Sequence, residues 1–496
     1  MDQSIINTDN LINLLKFDQY NPLLFNTGLF LILFAVFIVI YQLMRNHRTV
    51  KFLFVIAFSL YFYYKSSAEY CFILLGVCIS DYLLGILMEW CTKRWAKKMV
   101  VALNVVMNVG MLVYFKYFNL LYETVCNFTH THFDALDIIL PAGISFFTFR
   151  SISYIVDIYR GEIKACRDFL AYTFYLTFFP PLLAGPVVRA KDMLPQVMVN
   201  PQATRPMVSE GLFLIMCGLI KKVIVADFIS MNFVDRIFDN PSLYSGFEVT
   251  MGVYGFIIQL YCDFSGYSDM AIGIALLLGY QFKDNFRSPF KSQSPTEFWR
   301  RWHISLSSWL RDYIYIPLGG NRCHPVVHHC NLMTTMLVGG LWHGASWMYV
   351  AWGGLQGLFL SGHKILKNVS PKVKPENRNK WWRRAINIFI TFNLITLSFV
   401  FFRARSMDTV KEMWTQVTTN FHLDVIPQFW EGYMTIVLIM AAAYLMHFAP
   451  ESWTTKLKKS YHALPLVAQT VVLALVILMI IQSRQSDIQP FIYLQY

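Results

Sequence analysis

Two histidines stand in apolar, aromatic surroundings: His303 in the run Phe298-Trp299-Arg300-Arg301-Trp302-His303-Ile304-Ser305-Leu306-Ser307, and His343 in Gly339-Gly340-Leu341-Trp342-His343-Gly344. Imidazole titrates near neutrality, so each can take a proton from one group and return it to another within a reaction. A titratable group is costly to keep inside a membrane span, which makes both functional candidates. Glycines flank His343 and leave room for a substrate or another backbone to come close. The competing reading of His343 is a core histidine with its hydrogen bonds satisfied. His303 follows Trp302 and two arginines, a setting that predicts the start of a helix at a membrane boundary; its competing reading is an interfacial side chain without a chemical role.

Further polar residues crowd the otherwise apolar stretch from Tyr254 to Gly357: Asp263, Ser265, Asp269, Asn285, Arg287, Glu297, Arg300, Arg301, Arg311, Asp312, Asn321 and Arg322. Taken singly, most are expected to staple helices together or to sit at the interface. Arg311 and Asp312, next to a tryptophan-rich helix, can supply the pairing that buried charges need. The segment Cys323-His324-Pro325-Val326-Val327-His328-His329-Cys330 carries metal-binding side chains, but its spacing fits no common tetrahedral zinc site. A solvated loop, and no metal centre, is expected there.

The elements that must hold these groups are read from composition. Of 496 residues 56% are hydrophobic and only 15% charged, against about 25% charged in soluble proteins. An all-α polytopic membrane protein is expected. Runs near the roughly 20 residues that cross a bilayer lie at 23–44, 100–121, 385–402, 434–448 with its flanks, and 464–481. Residues 169–188, broken at Phe178-Phe179-Pro180-Pro181-Leu182-Leu183-Ala184-Gly185-Pro186, are expected to be re-entrant and buried, because non-helical backbone is tolerated at that depth only inside protein or beside a water-filled cavity.

The net charge of +12 is distributed over short loops between spans: Arg45–Lys51, Lys93–Lys98, Lys364–Arg384 and Lys456–Lys459. Basic short loops stay on the cytoplasmic side, which accounts for the charge without a nucleic-acid partner. The same rule predicts about 11 crossings with both termini extracytoplasmic. The chain divides into an interfacial segment at 1–20, where Leu11–Phe17 has the spacing of a short surface helix, a multi-span domain at 21–481 with its core motifs at 254–357, and an outer tail at 482–496. No signal peptide is expected, since residues 1–20 lack a basic stretch followed by an apolar one. The nine cysteines are scattered through apolar runs and predict no disulfide framework.

The runs Ser288-Pro289-Phe290, Glu297 to Tyr313, Ile316-Pro317-Leu318-Gly319-Gly320-Asn321-Arg322 and Leu341-Trp342-His343-Gly344 resemble the membrane-bound O-acyltransferase family. More narrowly, they are similar to its bacterial branch of alginate O-acetylation and teichoic-acid D-alanyl transfer proteins, with Gly-Gly-Asn-Arg and the overall length closer to the alginate side. The similarity runs from about residue 21 onward. It implies helices ringed around a central tunnel in a bacterial inner membrane, a cytoplasmic acyl thioester as co-substrate (acetyl-CoA, another acyl-CoA or an acyl carrier protein), and no tightly bound cofactor. It implies His343 as general base and His303 as second catalytic histidine. His303, or a backbone donor nearby, would polarise the thioester carbonyl. Trp302, Trp342, Arg311, Asp312, Asn321 and Asp269 would line the tunnel or bind substrate.

The tail Pro490-Phe491-Ile492-Tyr493-Leu494-Gln495-Tyr496 resembles a terminal motif of some family members and their small partners, and by that resemblance Tyr493 would carry the acyl group outward. A phenol of pKa about 10 is far easier for histidine to deprotonate than a sugar hydroxyl. The alternative for the tail is an aromatic interface anchor. The leading expectation is therefore an O-acyltransferase serving a cell-envelope polysaccharide with an extracytoplasmic SGNH-hydrolase-like acetyltransferase as partner, in contact with membrane lipids. The alternatives are acylation of a lipid or peptide, and a transporter or flippase with Asp263, Asp269 and Arg311 along its path. The lack of an internal repeat weighs against the latter.

Overall fold

Lipid offers the backbone no hydrogen bonds, so a spanning chain must satisfy its own N–H and C=O groups. In the computed structural model, which describes residues 13–18, 21–369 and 380–483, every regular element among the described residues is helical. The protein is an all-α, multi-pass membrane protein. Large apolar side chains such as Ile32, Phe72, Val106, Leu397, Leu445 and Val467 point outward from these helices, as lipid-facing surfaces require.

After Gly28–Leu43 come Arg48–Ser67 and Cys71–Trp90, twenty residues each. At 1.5 Å per residue each is about 30 Å long, the thickness of the hydrocarbon core. They part at Ala68, a non-glycine residue with φ 47°. Arg94–Leu112 continues through a π-helical turn, Val113–Tyr117, into Phe118–Thr129. By length and composition alone, the described stretches fit to cross a membrane are Arg48–Trp90, Arg94–Thr129, Trp381–Arg403 and Ile426–Phe448. Glu451–Ala463 and Leu466–Gln482 join them if a pair bent by 118° is one span. The basic loop expected at Lys456–Lys459 is part of the Glu451–Ala463 helix, because Pro450 and Pro465 punctuate the chain on either side of it. An expectation of about 11 crossings requires shorter and more polar helices to be spans as well.

The interrupted segment is a nine-residue helix, Phe169–Thr177, followed by irregular backbone as far as Arg189. Every residue from Ala171 to Ala190 is buried. Its Phe179 ring packs within 6.4 Å of Phe30, Phe34, Phe37, Phe58 and Phe62, so protein rather than lipid surrounds the non-helical stretch.

The polar block is carried by two tightly paired sets of helices. Gly246–Leu277, 32 residues long and opened by a capping box of Ser245 and Glu248, packs on Arg205–Leu219 through two glycine contacts a heptad apart. A methyl group on Gly273 would lie 2.7 Å from the Gly211 carbonyl oxygen, and one on Gly266 would lie 2.8 Å from that of Gly218. Small residues allow this backbone approach where no hydrophobic effect drives helices together. Pro325–His343 and Trp347–Val369 meet in the same way at Gly340 and Gly353.

Candidate functional site

His343 is the last residue of its helix and is 3% exposed. A helix C-terminus leaves carbonyls without intrahelical partners. Here Lys116 Nζ donates to the Trp342 carbonyl at 2.6 Å and Tyr117 Oη to that of Leu341 at 2.7 Å. Both side chains come from the π-helical turn. Trp352 and Phe402 stand edge-on to the His343 ring at 5.0 and 5.2 Å.

His303 lies between two short helices, Pro295–Arg301 and Ile304–Leu310, with φ 42°. It begins a helix, as expected, and it is fully buried in protein rather than exposed as an interfacial side chain would be: its ring meets Phe264 edge-on at 4.5 Å and lies 5.6 Å from Trp342. The two imidazoles are neighbours, inclined at 64° with ring centres 6.5 Å apart. His303 Nδ1 lies 3.3 Å from Asn285 Oδ1, and its Nε2 has no hydrogen-bond partner among the described residues.

The other expected residues separate. Trp302 and Trp342 are buried in the aromatic wall, Trp302 stacked on Phe298 and Trp342 on Phe149. Arg311 is exposed and pairs with Asp312, which also accepts from Arg189 at 2.7 Å. Asp312 lines a cavity of about 570 Å³ with Arg189, Lys191, Lys283, Ser305 and Ser308. Ser305 links this cavity to His303, because its hydroxyl donates to Asn285 Oδ1 at 2.8 Å. Asn321 is exposed, carried to the surface by a turn in which Gly319 and Gly320 both have positive φ. Asp269 turns to Lys221 at 2.6 Å, and Asp263 to Lys222 at 2.6 Å. Tyr493 lies outside the described residues, as do Leu11 and Ile12 of the expected surface helix. Among the described residues no group of three or more histidine, cysteine, aspartate or glutamate side chains is placed to hold a metal ion.

Asn285, Ser305, Lys116 and Tyr117 were not among the expected site residues. Asn285 stands out in the sequence only as one polar residue among many in the block. Lys116 is 226 positions from the carbonyl it caps, and nothing local to it signals that contact.

The fold is that of a polytopic helical protein with two buried imidazoles close together in its interior. Residues 162–403 match the model of the membrane-bound O-acyltransferase family. The chain is 39% identical over 404 residues to the probable alginate O-acetylase AlgI of Pseudomonas aeruginosa, spanning 79% of this chain and 74% of the relative. It is 34% identical over 418 residues to the peptidoglycan O-acetyltransferase of Helicobacter pylori, spanning 78% of each. With the teichoic acid D-alanyltransferase of Streptococcus thermophilus it shares 32% over 296 residues, 52% of this chain and 67% of the relative. The chain belongs to the membrane-bound O-acyltransferase family, and it is an O-acyltransferase rather than a transporter.

Proposed function

We propose that His343 and His303 form the acyl-transfer centre of an enzyme that moves an acyl group, acetyl first among the candidates, from a cytoplasmic thioester to a cell-envelope polysaccharide. The observation that carries this reading is the pair of buried imidazoles with ring centres 6.5 Å apart behind an aromatic wall. The names of the relatives, which act on alginate, peptidoglycan and teichoic acid, supply the acceptor class. In the reaction, an acceptor hydroxyl attacks the thioester carbonyl while His343 takes its proton. The tetrahedral intermediate collapses, the carbon–sulfur bond breaks, and the thiolate leaves with the proton from the imidazolium. A positioned base of this kind contributes on the order of 10²–10⁴-fold.

The cavity bordered by Arg189, Lys191, Lys283 and Ser305 is the approach for the donor, acetyl-CoA or another acyl thioester, with Asp312 and Arg311 at its wall. Tyr493 is the first acceptor and hands the acyl group to an extracytoplasmic SGNH-hydrolase-like transferase. In this arrangement the protein sits in the bacterial inner membrane with both termini outside. The test is donor turnover by the purified protein: acetyl-CoA should be cleaved, and His343→Ala should lose most of that activity. Equal cleavage by His343→Ala, or none by the native enzyme, would overturn the reading. For the carrier step, labelled donor should add mass to Tyr493, and normal polysaccharide acylation by Tyr493→Phe would reject it.

A further inference from the structure

His303 is held by a single side chain whose geometry decides which ring nitrogen carries the proton. Asn285 is 2% exposed. The backbone N–H of Ser305, a donor under all conditions, lies 3.2 Å from Asn285 Oδ1 and so identifies that atom as the amide oxygen. Ser305 Oγ is 2.8 Å from the same oxygen and accepts from the Val187 N–H at 2.9 Å. Its one proton therefore goes to Asn285 and not to His303 Nδ1, 3.5 Å away. An acceptor-only amide oxygen at 3.3 Å, shared with the two Ser305 donors, favours hydrogen on His303 Nδ1, because a bare Nδ1 would set lone pair against lone pair. Nε2 is left with its lone pair.

Asn285 is itself anchored. Its Nδ2 donates to Ser268 Oγ at 3.1 Å, and its carbonyl accepts from the Ile304 N–H at 2.9 Å. Two residues on, the Arg287 N–H donates to the Arg301 carbonyl at 2.9 Å. This clamp holds His303 in the left-handed region, where a non-glycine residue costs on the order of 1 kcal/mol or more.

We propose that Asn285 is a positioning residue that locks His303 in the Nδ1–H tautomer and leaves Nε2 a proton-accepting atom, on a ring whose centre lies 6.5 Å from that of His343. Its catalytic consequence rests on the acyl-transfer reading above. Neutral His303 then cannot donate a hydrogen bond through Nε2 to the thioester carbonyl. It accepts one, from the attacking hydroxyl or from the His343 imidazolium. The oxyanion must be met by another donor, and His303 joins His343 on the proton-accepting side.

The test compares Asn285→Asp and Asn285→Leu in the purified full chain, by thioester turnover across pH and by ¹⁵N NMR of histidine-labelled protein with His303 assigned through His303→Gln. Among the described residues His343 is the titratable side chain whose ring neighbours that of His303; Phe264, Phe286 and Trp342 are its other ring neighbours. The native enzyme should show His303 protonated at Nδ1 and bare at Nε2. Asn285→Leu should lose kcat by about 10²-fold or more with KM for the donor unchanged and a mixed tautomer signature. Asn285→Asp keeps an acceptor and should stay within about tenfold of native kcat. Its carboxylate favours the imidazolium, so the acid limb of its pH profile should move to higher pH. A native Nε2–H tautomer, an unmoved acid limb in Asn285→Asp, or losses that merely track folded yield would each overturn the proposal. If the native enzyme shows the Nδ1–H tautomer but cleaves no thioester, the acyl-transfer reading fails while the role of Asn285 stands.

Discussion

Two of the places where the molecule buries polar side chains treat them differently. Around Asp81, on the helix Cys71–Trp90, both carboxylate oxygens are engaged: Oδ1 accepts from Asn104 at 2.8 Å and Ser151 at 2.7 Å, and Oδ2 accepts from Tyr172 at 2.8 Å. Four helices contribute one residue each to this hub. Around His303 one nitrogen is fixed by Asn285 while the other is buried without a partner among the described residues. Leaving a buried polar atom unmatched costs roughly 1–3 kcal/mol, and Asn104 Oδ1 beside Asp81 is unmatched as well, so the contrast lies between the engaged carboxylate and the half-engaged imidazole. The Asp81 carboxylate ties helices to each other through both its oxygens, whereas the ring of His303 is fixed through one nitrogen and keeps the other open.

That contrast predicts opposite responses to mutation. His343→Ala should lower turnover by about 10²–10⁴-fold with little change in melting temperature; a large fall in stability would place His343 with the structural hub. Asp81→Ala leaves three buried donors without their acceptor. It should destabilise by roughly 2–5 kcal/mol, the lower figure from three intramembrane hydrogen bonds of about 0.6 kcal/mol each and the upper from unmatched buried donors. Turnover per folded molecule should be retained, and a well-folded but inactive Asp81→Ala would break the distinction.

Lys116→Met tests the ground between the two regions, since Lys116 is structural in its contacts and adjacent to the reactive ring. Loss of this hydrogen-bonded helix cap should cost about 0.5–2 kcal/mol, read by thermal melting, together with a several-fold drop in turnover as the end of the His343 helix loosens. Arg311→Ala should have the smallest effect on stability, read by thermal melting. Its side chain is 61% exposed and its pair with Asp312 lies at the surface, where such pairs contribute about 0–1 kcal/mol. Asp312 keeps Arg189 as partner in that variant.

Much of the architecture was legible before any coordinates. Apolar runs and basic loops marked the long helices because each signal is local, contained within about 20 neighbouring residues. The Phe-Pro-Pro interruption marked a buried irregular stretch for the same reason. The two histidines stood out because an imidazole among tryptophans and glycines is chemically conspicuous. Expectation and structure part where position depends on remote chain. His303 has an interfacial look beside Arg300 and Arg301, yet those arginines leave the core while the histidine turns inward at a left-handed residue. Asn321 sits in a distinctive motif, yet two glycine turns carry it to the surface.

Hydropathy, charge and motif spacing were thus enough for the helical membrane class, the family and the two candidate imidazoles. Their working relation belongs to the tertiary structure. Lys116 caps a carbonyl 226 residues away, Tyr172 reaches Asp81 across 91, and the tautomer of His303 is set by an amide 18 residues upstream through a serine hydroxyl. Hydrogen bonds are short and directional, so they form only after helices have packed, and no periodicity along the chain records which partners that packing brings together.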